Sequence, residues 1–128
     1  MYKYVILILG GIGMFVLFII LNEIDYIEDI LSGFVENEIS GATILESQGM
    51  GSAIANSNNE SIPLFSTLRM LIGDSDPYSK TIFTVLENET MVDKAVSVVQ
   101  GVLSDIKDTG IGFMFTVPVS KVYSIKKD

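Results

Sequence analysis

Residues 5–21 read VILILGGIGMFVLFIIL, seventeen positions in a row without a charge. A helix that spans a bilayer needs about 20 mainly apolar residues. Tyr2 and Tyr4 on one side and Asn22 on the other bring the run to that length. Tyrosine suits a membrane–water boundary. A chain of 128 residues has little else with which to surround so apolar a helix. The run therefore predicts a spanning helix. It exceeds the apolar region of a secretory signal, and Asn22-Glu23-Ile24-Asp25 is a poor cleavage context, so a retained signal anchor is expected. Gly10, Gly11 and Gly13 would let neighbouring helices approach closely.

Charge sets the orientation. Lys3 precedes the run, whereas residues 4–68 hold no Lys or Arg and eight acids, among them Glu23, Asp25, Glu28 and Asp29. Positive charge stays on the cytoplasmic side. The expected topology is a single-pass cell-membrane protein with a cytoplasmic N-terminus and an extracytoplasmic body. Asn59-Glu60-Ser61 and Asn88-Glu89-Thr90 then mark Asn59 and Asn88 as N-glycosylation acceptors.

The helix is expected to continue outside the membrane. Ile20, Ile24, Ile27, Leu31 and Phe34 are spaced four, three, four and three, a heptad seam opposite a face of acids. A helix over 4–38 would be about 52 Å long. Its outer apolar stripe needs a partner, so these five residues form the expected assembly interface.

Downstream, residues 39–61 are rich in Gly, Ser and Asn and read as a connector, with a short strand at 42–45. Residues 62–128 read as a small head. Helices are expected from Ser61, from Asp76-Pro77 to about Leu86, and from Thr90 to Gly110, the last with Val92, Val96, Val99, Leu103 and Ile106 on one face. Residues 111–119 alternate as a strand, and Pro118 assigns it to an edge or a bulge. Its partner would be the 42–45 region or another subunit. The expected fold class is α+β, mainly α: a long N-terminal membrane helix with an amphipathic extension (1–38), a connector (39–61) and a small helical head closed by a β-strand (62–128).

Composition narrows the chemistry. With no Cys and no His, thiol nucleophiles, Cys/His zinc sites and histidine bases are excluded. Sixteen acids against eight bases argue against nucleic acid. Asp74 and Asp76 are a fragment of a calcium loop that lacks its other ligands. Gly49-Met50-Gly51 lacks the third glycine and the lysine of a phosphate cradle. No catalytic residue, metal, cofactor or small-molecule substrate is expected, and the chain reads as a non-enzyme.

The layout of a charged tip, an apolar helix, its amphipathic extension and a small head resembles type IV pilin-like proteins. The fifth position is Val5, where the bacterial pattern has Glu. Phe65-Ser-Thr-Leu-Arg69 and Thr109-Gly-Ile-Gly-Phe113 are similar to segments of archaeal pilus-associated membrane proteins. The resemblance implies a structural subunit of an extracellular filament, or else an anchored accessory subunit of a membrane complex. Its partners would be the lipid bilayer and copies of itself or other membrane subunits.

Overall fold

The computed structural model describes residues 13–55, 67, 78–108 and 110–127. Residues 14–21 are not helical. They form strand β1, Met14–Leu21, at the centre of a four-stranded antiparallel sheet. A 3₁₀ turn, Ile24–Tyr26, leads into helix α1, Ile27–Glu36. Strand β2, Thr43–Gln48, a short helix α2, Met50–Ala55, strand β3, Tyr78–Leu86, helix α3, Glu89–Val102, and strand β4, Gly112–Val119, follow.

The strand order is β2-β3-β1-β4, with every neighbouring pair antiparallel. Each of β1-α1-β2 and β3-α3-β4 thus joins two parallel strands with a strand of the other unit between them. This interleaved arrangement is the ferredoxin-like split β-α-β topology.

Both long helices lie on one face of the sheet. Leu17, Ile19 and Leu21 of β1 and Ile82 and Leu86 of β3 point at Ile27, Ile30 and Phe34 of α1 and at Ala95 and Val99 of α3. A Cβ on Gly33 would lie 2.5 Å from Val98 Cγ1, so glycine is what lets α1 pack this closely on α3. Asn88, extended in backbone, caps α3 by accepting from Met91 N at 2.9 Å. The cap is therefore Asn88, two residues before the expected Thr90.

Four expectations are corrected. The mainly helical fold class gives way to a small α/β layer, because β1 is a central strand that is apolar on both faces and so reads as an unbroken apolar run. Among the described residues no helix is long and apolar enough to cross a membrane. The spanning helix, the cell-membrane location and the topology argued from it lose their basis, and residues 1–12 lie outside the described residues. The helix expected over 76–86 is β3, where Thr81, Ile82, Phe83, Thr84 and Val85 favour a pleated strand. The partner of β4 is β1, with Phe115 opposite Phe18.

Candidate ligand-binding site

The site lies where β1 ends and β4 begins. Three hydrogen bonds shape the turn that enters β4. Asp108 Oδ1 accepts from Gly110 N at 2.9 Å. Asn22, just past β1, donates from its backbone N to Ile111 O at 2.8 Å. Its side-chain Nδ2 donates to Gly110 O at 3.1 Å. Gly112 follows with φ +154°, and a Cβ there would collide with the carbonyl oxygen of Ile20. Only glycine accommodates that backbone and that approach.

This turn and the C-terminal part of α3 border an open cavity of about 570 Å³. Ile20 and Leu21 form one wall, and Val99, Gln100 and Leu103 another. Asp108, Gly112 and Phe113 close the rim. The lining is mainly apolar, with the Gln100 amide and the Asp108 carboxylate as its polar side chains. A volume of this size and a lining of this kind suit a small organic ligand.

The five residues of the expected assembly stripe are dispersed. Ile27 and Phe34 are buried in the core and Leu31 packs against it. Ile24 is exposed in the 3₁₀ turn, and Ile20, half-buried, belongs to the opposite face of the sheet. Asn88 is the α3 cap, and Asn59 lies outside the described residues. The extracytoplasmic setting that gave the two sequons their meaning has lost its support. Asp74 and Asp76 also lie outside the described residues. Sequence reasoning missed Asn22, Gln100 and Asp108. The signal that could have found them is the pair Gly110 and Gly112 directly before a strand, which marks a tight, closely approached turn.

The topology and the cavity define a class: a split β-α-β sheet, helices on one face, and a ligand-sized cavity at the glycine turn before its last strand. No protein-family model matches the sequence. No curated protein matches it either. Among solved structures the chain is similar to an Arabidopsis thaliana PII protein bound to citrate, with a TM-score of 0.62, 16% identity, and coverage of 88% of this chain and 83% of that one. At that identity the likeness shows a shared fold. It overturns the pilin-like resemblance and the filament or membrane-accessory function drawn from it. The lipid bilayer and the exclusion of small molecules also fall as expectations. The first rested on the spanning helix and the second on the lack of a complete binding motif, and the shared fold holds citrate in another protein.

Proposed function

We propose that this chain is a non-catalytic ligand-sensing protein of the PII kind, whose site is the cavity between α3 and the β1–β4 end of the sheet. The observation that carries this reading is the open 570 Å³ cavity bordered by a hydrogen-bonded glycine turn. A pinned turn provides a pre-formed site, which lowers the ordering cost of binding. The non-catalytic part is supported by residue types: the chain has no His or Cys, and the lining has one ionisable side chain, Asp108.

The lining also selects a ligand chemistry. It holds a carboxylate and no cation, so a polycarboxylate such as citrate would meet repulsion from Asp108. An apolar or ring body fits the walls. An edge with N–H donors fits Asp108, and the Gln100 amide can both donate and accept. A heterocycle with an exocyclic amine meets these requirements. Isothermal titration with adenosine as the probe, and citrate beside it, tests this. Adenosine is expected to bind in the millimolar range or tighter and to lose at least tenfold in affinity with Gln100→Ala. Citrate is expected to bind more weakly than adenosine. Absence of adenosine binding, or indifference to Gln100→Ala, would refute the site.

A further inference from the structure

A second cavity, of about 430 Å³, lies at the opposite end of the sheet, where β3 finishes and β2 begins. Three segments build it: the link from α1 to β2, the last residues of β3, and the first turn of α3. Ile39, Leu86 and Met91 give it an apolar wall, and Ile39 and Leu86 are buried in the core. Thr84, buried near the end of β3, donates its hydroxyl to the Gly41 carbonyl oxygen and so ties the link to the strand. The charged groups of the lining are two carboxylates exposed at the rim, Glu38 on the link and Glu87 just past β3.

Glu38 is costly where it stands. It follows α1 with φ +66°. Its N–H donates to Val35 O at 3.1 Å, and the next N–H, of Ile39, donates to Phe34 O at 2.8 Å. Glycine usually completes a helix ending of this kind, because a Cβ is strained at positive φ. A carboxylate there also meets the negative end of the helix dipole. Local structure thus disfavours this residue on two counts, and a cost retained at one position points to a role beyond the helix. Among the described residues the one ion pair is Lys80 with Glu46, so neither Glu38 nor Glu87 has a cation partner there.

We propose that this cavity binds a small organic cation, an ammonium or guanidinium group carried on an apolar body. The wall takes the body, and the rim carboxylates, beside the carbonyl end of α1, take the head. The volume suits a small molecule. A divalent metal is a poorer occupant. It needs about six oxygen ligands, the apolar wall supplies none, and among the described residues no three acids gather to hold one. The acidic excess of the chain, sixteen acids against eight bases, draws cations toward the rim.

Isothermal titration of the full-length chain with phenethylamine tests the proposal. Hydrocinnamate, the same body with a carboxylate in place of the ammonium, and magnesium chloride are titrated beside it. Phenethylamine is expected to bind in the millimolar range, and Glu38→Gln and Glu87→Gln each to weaken it about three- to fivefold. Gln100→Ala, in the first cavity, should leave its affinity unchanged. Hydrocinnamate should not bind, and magnesium should not displace the amine. Glu38→Gly removes the carboxylate and the strain together. It should raise the melting midpoint by about 2–5 °C and still weaken the amine. Absence of phenethylamine binding, wild-type affinity in both Gln variants, comparable binding of hydrocinnamate or displacement by magnesium overturns the proposal. So does a lower midpoint for Glu38→Gly, which makes Glu38 a structural cap, or a loss of affinity with Gln100→Ala, which moves the amine to the first cavity.

Discussion

The most constrained single residue is Gly112. Its backbone enters a region that side chains avoid, and its Cα faces the Ile20 carbonyl. Gly112→Ala must move the strand start or strain it. A loss of about 1–3 kcal/mol is expected, read as a lower urea midpoint at constant slope; an unchanged midpoint would show that the turn has room. Phe34 and Ile24 provide a sharper contrast, because the heptad spacing groups them on one stripe and the fold separates them. Phe34 is 1% exposed and Ile24 41%. Phe34→Ala should cost about 3–5 kcal/mol, and Ile24→Asp only about 0.5 kcal/mol. Equal costs in denaturant melts would restore the stripe.

Among the elements, α3 carries most of the local signal that sequence reasoning could use. Its apolar positions recur at helical spacing, and Ala95 and Val99 reach the core. Two of its residues can be tuned. Asn88→Ala removes the cap and should lower stability by about 0.5–2 kcal/mol. Gly101 has open space where a Cβ would go, so Gly101→Ala should raise stability by up to about 1 kcal/mol, since alanine gives up less backbone freedom than glycine. Thermal melts of the two variants should move in opposite directions. If Gly101→Ala lowers the midpoint, the helix end is not as open as described. The 76–86 region shows the opposite case. Asp76-Pro77 is a sound helix start, but the residues after it are β-branched and aromatic, and β3 places them between β1 and β2. Sheet pairing outweighed the local start signal.

At the scale of the molecule, the cavity couples ligand to stability. A ligand held by the folded state alone at about a hundred times its dissociation constant adds roughly 2.7 kcal/mol. Saturating adenosine should therefore raise the melting midpoint of the wild type. Gln100→Ala should melt like the wild type without ligand and lose most of that rise with it. A full rise in the variant would move the ligand elsewhere.

The sequence by itself determined what the chain lacks and where several elements lie: no thiol or imidazole chemistry, an excess of acids, a helix opening near Thr90, which ends at Val102 and not at the expected Gly110, and an edge strand across Pro118. It also determined that the run 14–21 seeks an apolar environment, which Leu17, Ile19 and Leu21 find in the core. What they are buried in was decided by the tertiary structure. An apolar run of that length satisfies its backbone equally well in a helix within lipid and in a central strand between two others, and periodicity does not separate the two. The stripe from Ile20 to Phe34 and the ligand cavity share one explanation. Both depend on which residues distant in sequence come together: Leu17 beside Thr84 and Thr116, Asn22 beside Gly110. Such contacts are set by the register of β1 against β3 and β4, and register emerges only once the strands have found one another.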